Sequence, residues 1–285
     1  MGGSGDSSSG PNMQDTINGL VARSWEFLLD EKRWGAPVID GDDGQVWKYW
    51  MPKDAYGATN SVVKAKGVVR ASPEEIFDMI FDSSRTKEYN KYSVGRTDIA
   101  TYSPTSKVVW NRTNPPGTKK QHDFCTLMHG VPFAKGNGTY LLMTTAVEHP
   151  KAKPSSNYLR SEILLGVNLM KPVPGKPGYT ELTTVNHVKT TGVPAFLSEK
   201  VAARSAIDFI RKVDEVLGGP TTAAAAATAA AVATSATEDA SGEKPAAGLQ
   251  REAAAVVGVS SSSSGTRKRG IVSLRRVDVE WGSES

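Results

Sequence analysis

Residues 180–218 read TELTTVNHVKTTGVPAFLSEKVAARSAIDFIRKVDEVLG, and the period changes partway along. From Thr180 to Lys189 the β-branched and apolar residues suit a pleated strand. From Pro194 onward the spacing becomes helical. Phe196, Ala203, Ala206, Ile207, Ile210, Val213 and Leu217 fall on one stripe of a long helix, which Gly218-Gly219-Pro220 stops. Ala203 and Ala206 are small, so they leave space that larger side chains would fill. A strand feeding a one-faced helix with room beneath it predicts a sheet closed by a terminal helix, with a pocket between them.

Upstream, the period is two over residues 94–102, 107–113, 123–131, 139–148 and 158–170, and turn residues separate each run from the next. Pro104, Pro115-Pro116-Gly117, Gly136-Asn137-Gly138, Pro150 to Pro154 and Pro174 to Gly178 are the breaks, and strands joined this way form an antiparallel meander. Two earlier strands are expected at 46–51 and 62–69. They precede Ser72-Pro73-Glu74-Glu75, a capping box with proline at the first helical position. Ile76, Phe77, Ile80 and Phe81 form the buried stripe of that helix, and a shorter helix runs through Tyr89 after the break at Asp82-Ser83-Ser84. Near the N-terminus, Asn12 can cap a helix carrying Ile17, Leu20, Val21, Ser24 and Leu28 on one face, with Gly35 and Pro37 beyond it. Its polar side mixes Asp15, Arg23, Glu26 and Asp30, which favours packing on the domain over lying on a membrane. The fold class expected is α+β, a curved antiparallel sheet wrapped around a long C-terminal helix.

Composition divides the 285 residues into a flexible leader at 1–14, a folded domain at 15–218, and a disordered Ala/Ser-rich tail at 219–285 with a short basic segment. A domain of this size builds its core without disulfide or metal support. With Cys125 the lone cysteine, no intrachain disulfide forms, and a reducing, cytoplasmic setting is expected. The net charge of +4 is modest and does not make the basic stripe of a nucleic-acid binder. No apolar run reaches the roughly 18 to 20 residues that span a bilayer, so any membrane contact is expected to be peripheral. The motifs of metalloproteases, serine hydrolases and phosphate-binding loops are missing from the sequence. Glu148 and His149 alternate across a strand and so point to opposite faces, which disfavours a shared metal site. No catalytic residue, metal or cofactor is predicted. Two readings stay open for Arg267-Lys268-Arg269 to Arg275-Arg276 and Trp281: a solvated basic tail, or a docking segment for a protein partner.

Several segments, in order, resemble the START family of lipid-transfer domains. They are Ala71-Ser72-Pro73-Glu74-Glu75-Ile76-Phe77, Asn114-Pro115-Pro116-Gly117, His122-Asp123-Phe124, Ala146-Val147-Glu148-His149-Pro150, residues 158–165, and Gly192-Val193-Pro194 before the last helix. The resemblance implies a helix-grip fold with an internal apolar cavity, and non-enzymatic binding and transfer of one lipid. It also implies transient membrane contact through a gate made by the 114–121 loop and the C-terminal helix. His122 stands where the family has arginine. Met128 stands near a position that is commonly charged in sterol-binding members, which favours a ligand held by shape and apolar contact. Lys189 and Thr190 replace the family's Asp-Pro.

Strand alternation nominates Phe124, Thr126 and Met128, then Tyr140, Leu142 and Thr144, as cavity walls. Trp110, Asn186, Ala203 and Ile207 are added to the liners, and ordinary core packing is the alternative for each. Pro115, Pro116, Lys119, Lys120, Phe196 and Leu197 are the gate candidates, the two lysines being placed to meet anionic headgroups. The expected partners are a lipid of unresolved class (sterol, phospholipid or sphingolipid) and a transient membrane surface. The rival readings are a cyclase-like helix-grip enzyme with a polar cavity and a lipid-sensing adaptor that uses its tail.

Overall fold

The structure is a computed structural model that describes residues 12–50, 60–115, 118–133 and 138–219. Helix α1 (Met13–Leu29) opens it, with the Asn12 side chain accepting a hydrogen bond from the Gln14 amide at 3.3 Å. Strands β1 (Ile39–Gly41), β2 (Gly44–Tyr49) and β3 (Val62–Val69) follow, then helices α2 (Pro73–Phe81) and α3 (Thr86–Tyr89). Next come β4 (Ser93–Ser103), β5 (Ser106–Thr113), β6 (His122–Pro132) and β7 (Tyr140–Ala146). The last elements are β8 (Leu159–Arg160), β9 (Glu162–Pro172), β10 (Thr180–Lys189) and the long helix α4 (Ala195–Leu217).

The ten strands form one sheet in the order β1-β2-β3-β10-β9-β7-β6-β5-β4, with β8 pairing in parallel to the start of β6. The antiparallel meander expected from sequence runs unbroken through β4, β5, β6, β7, β9 and β10, with only the short β8 off its path. Strand β3 then pairs with β10, with Val69 opposite Thr180 and Val63 opposite Asn186, so the three N-terminal strands join the meander at its last strand. The run expected as one strand over 158–170 is broken at Ser161. The buried Ser161 hydroxyl instead contacts His122 Nδ1 at 2.9 Å and accepts from the Thr191 amide at 3.0 Å.

Both faces of the sheet are covered, which is why the strands carry apolar residues at successive positions rather than in clean alternation. On the outer face α1 packs Ile17, Leu20 and Phe27 over Val62, Leu127, Leu141, Met143, Val167 and Val185. On the inner face α2 and α4 bring Ile76, Phe77, Ala206, Ile210 and Val213 against Val69, Leu142, Met170 and Leu182. The predicted capping box holds α2 in place: Ser72 Oγ accepts from the Glu75 amide at 3.2 Å, and Glu75 accepts from the Ser72 amide at 2.8 Å. Gly130 lets α2 approach, since a Cβ there would lie 2.5 Å from the Phe77 ring. Phe77 in turn sits 5.3 Å from the Tyr140 ring.

Candidate functional site

The register sorts side chains by face, and burial then reveals where space lies. At the inner positions Asn111, Phe124, Thr144, Ala146, Asn168 and Asn186 the residues are only half-buried. Their outer-face neighbours Cys125, Met143, Thr145, Val167 and Val185 are buried beneath α1. In a sheet covered on both sides, accessible surface on one face means that the cover there stands off. The opposite end of that face, around Leu142, Met170 and Leu182, is sealed by α2 and the second half of α4. The accessible inner surface therefore lies toward the end at which α4 begins.

Here the wall is polar without being charged. Asn111, Asn168 and Asn186 have no side-chain hydrogen bond among the described residues, and the hydroxyls of Thr126 and Thr184 are buried without a partner there. The cations that share this face are engaged. Lys107 Nζ lies 2.9 Å from Asp98 and 4.3 Å above the Phe81 ring. Arg96 donates to the carbonyls of Ile80 and Phe81 at 2.7 and 3.1 Å. Lys48 donates to the carboxylate and the carbonyl of Glu199 at 3.1 and 2.7 Å. Glu199 also accepts from the amide and hydroxyl of Ser61, each at 2.7 Å, fastening the first turns of α4 to β2 and β3. Burial would raise this carboxyl, but the bonds from Ser61 and Lys48 outweigh it and hold it below its usual value.

On the outer face, Arg160 clamps the buried Asp123 carboxylate through Nε and Nη2 at 3.0 and 2.7 Å and donates to the Ala152 carbonyl at 2.7 Å. Trp110 Nε1 donates to the same carboxylate at 2.9 Å, and its ring meets Tyr158 edge-on at 5.6 Å. This corrects one expectation: Trp110 faces away from the inner surface. With both faces of β5 covered, Val108 and Val109 are equally buried, and apolar character does not reveal which parity points inward.

The other proposed liners, Phe124, Thr126, Met128, Tyr140, Leu142, Thr144, Asn186, Ala203 and Ile207, lie on the inner side, where Met128, Leu142, Ala203 and Ile207 are packed into the apolar cluster. Sequence reading missed Asn111, Asn168, Thr184, Lys48 and Glu199. An amide between two core residues, as in Val167-Asn168-Leu169, was the available signal, because an unpaired polar group in an apolar strand is costly. At the proposed gate Lys119, Lys120 and Leu197 are exposed and Pro115 is half-buried, while Pro116 and the Phe196 side chain lie outside the described residues. So do residues 1–11 of the leader, all of the tail from 220, and with it the basic segment and Trp281. Among the described residues no three His, Cys, Asp or Glu side chains cluster to hold a metal, and no helix is long and apolar enough to cross a membrane.

Three buried histidines set an acid limit on the fold. Burial lowers the affinity of His122, His129 and His187 for a proton, and the Nε2 atoms of His122 and His187 have no partner among the described residues. The unfolded chain takes up these protons as pH falls through about 6.5, while the folded chain resists them, so stability falls with pH below that point. The melting temperature is expected to be level above about pH 7 and to drop by several degrees by about pH 5.5. A flat profile across that window would refute this account.

No family model and no curated protein matches the chain. Solved structures do. Human StAR-related lipid transfer protein 5 aligns over 72% of this chain and 96% of its own, with a TM-score of 0.64 at 19% identity. The lipid transfer and protein localization domain of human StarD13 aligns over the same shares, with a TM-score of 0.58 at 16% identity. Human STARD10 aligns over 74% of this chain and 82% of its own, with a TM-score of 0.57 at 19% identity. The strand order, the α4 closure and these superpositions agree: the described part of the chain has the helix-grip fold of the START-type lipid-transfer domains.

Proposed function

We propose that this chain encloses one lipid against the inner face of its sheet, beneath α4, and carries it between membranes without chemical change. The observation that carries this reading is the inverted burial, with half-buried side chains on the inner face of strands whose outer face is closed. Apolar surface moved from water into such a space contributes about 25 cal/mol per Å², enough to hold an acyl chain or ring system without a covalent or metal anchor. The lipid-transfer names of the structures sharing the fold point the same way. A cyclase-like activity would need a free acid or base in the cavity: Lys48, Lys107 and Arg96 are committed to partners, which leaves the His122 Nε2 as the group such a reading would have to use. The test is native mass spectrometry of the purified full chain, followed by organic extraction. One lipid per chain is expected. A chain that arrives empty and takes up no lipid from a mixed panel would overturn the reading.

The gate belongs to the same proposal. Leu197 and Val201 are exposed one turn apart at the start of α4, and Trp50 is exposed just beyond β2, whose Lys48 holds Glu199 of that helix. These residues suit a surface that meets a bilayer, with Lys119 and Lys120 supplying charge at about 1 kcal/mol each near an anionic leaflet. Lys119→Glu with Lys120→Glu is expected to weaken co-sedimentation with phosphatidylserine-containing vesicles at least ~10-fold. Unchanged sedimentation would remove both lysines from the gate.

A further inference from the structure

We infer that the cavity selects a neutral, hydrogen-bonding lipid and rejects charged headgroups. The inference rests on the lipid-carrier reading and adds the ligand's chemical class. It is built from the register. Thr184 of β10 stands opposite Asn168 of β9, and Asn186 of β10 stands opposite Gly166, which stands opposite Thr144 of β7. Two carboxamides and two hydroxyls therefore occupy adjacent positions across three strands of the inner face, where Asn168, Asn186 and Thr144 keep accessible surface and Thr184 is fully buried. A second, smaller pair lies on β5 and β6, where Asn111 stands opposite Phe124 and Thr126 stands one inner position further along.

These groups both donate and accept, and the half-buried ones, Asn111, Asn168, Asn186 and Thr144, each offer a hydrogen bond to a hydroxyl, ester or amide of a guest, while the hydroxyls of Thr126 and Thr184 are buried behind them without a partner among the described residues. None supplies a charge. An anionic phosphate would need a cation, and among the described residues the inner-face cations have partners: Lys48 has Glu199, Lys107 has Asp98, and Arg96 has the carbonyls ending α2. His122 also faces this side, with Nδ1 engaged by Ser161, and burial keeps it neutral. A choline or amine headgroup would need an anion, and the Glu199 carboxylate is occupied by Ser61 and Lys48. Burying an uncompensated charge is far costlier than burying a hydroxyl or amide that finds a partner. The wall therefore discriminates by polarity, favouring lipids whose polar part is small and uncharged, such as a diacylglycerol, a ceramide or a sterol.

The experiment uses the full chain after delipidation. It is incubated with phosphatidylcholine vesicles doped in turn with diolein, ceramide, cholesterol, phosphatidylserine or phosphatidic acid, re-isolated, and its bound lipid identified by mass spectrometry. At least one neutral lipid is expected to be enriched tenfold or more over its share of the vesicle, with the charged lipids not enriched. Asn168→Leu combined with Asn186→Leu is expected to cut that enrichment about tenfold while leaving the melting temperature within a few degrees. Enrichment of the charged lipids instead, or equal uptake of all, would overturn the inference and leave the carrier reading standing. Uptake of none would overturn both. Neutral enrichment that survives the double substitution would overturn the assignment to these amides, and Asn186→Ala alone provides the same comparison if the double variant does not fold.

Discussion

Asp123→Ala is expected to unfold about 10 °C below the parent chain in a thermal scan. Asp123 is 1% exposed and accepts two bonds from Arg160 and one from Trp110. Truncating it leaves a guanidinium on the outer face facing an apolar hole. Removing one partner of a buried pair costs about 3–5 kcal/mol, and each kcal/mol lowers the melting temperature by about 2–4 °C in a domain of this size. The same bonds outweigh burial and hold the Asp123 carboxyl below its ordinary value, so its contribution persists above about pH 4 and is lost as pH falls further. Arg70 and Asp214 form an equally short pair at 2.7 Å, but the arginine is 54% exposed, so solvent screens the pair and breaking it is expected to move the melting temperature far less than Asp123→Ala does. If Asp123→Ala melted within about 3 °C of the parent, the pair would not be the fastening described.

Thr144→Trp is expected to lower lipid occupancy at least tenfold with little loss of stability. Thr144 projects from β7 into the accessible part of the inner face, and an indole there takes the place of the guest. The stability arm makes this a test of the space itself. In a filled core, added bulk costs about 1–3 kcal/mol or more through forced rotamers and backbone shifts. In a true cavity the ring is accommodated, and the melting temperature stays within about 3 °C. Lost binding with retained stability supports the cavity, whereas a collapse in stability, or full occupancy beside the new indole, would refute it. Met143→Trp, one residue away on the closed outer face, supplies the contrast: it is fully buried under α1 and is expected to destabilise strongly.

Local features were legible from the chain alone because their causes are local. The Ser72 to Glu75 box depends on residues three apart, and α2 begins where it was expected. Strands β3 and β10 and the last turn of α4 lie where period and stop residues placed them. The resemblance to a helix-grip rested on such pieces occurring in the right order. β1 was missed because three residues carry too little periodicity to register.

Tertiary structure alone decided what those elements do to one another. Pairing between β3 and β10 joins residues more than a hundred positions apart, and no local pattern encodes that choice. It also decided which parity of each strand faces inward, since α1 on one side and α2 with α4 on the other make both faces apolar. Trp110, Val108 and Val109 could not be sorted until the register did so. Glu199 reads in sequence as one more charge on a helix and becomes a clasp only when Ser61 and Lys48 are brought to it. Asn186 was nominated from sequence and Asn168 was not, and only the sheet places both on its inner face, where each is half-buried. The chain's own order thus determined the elements and their capping, which depend on near neighbours. Which residues face inward, and how α4 is clasped to the sheet, were decided by contacts that exist only once distant strands have paired.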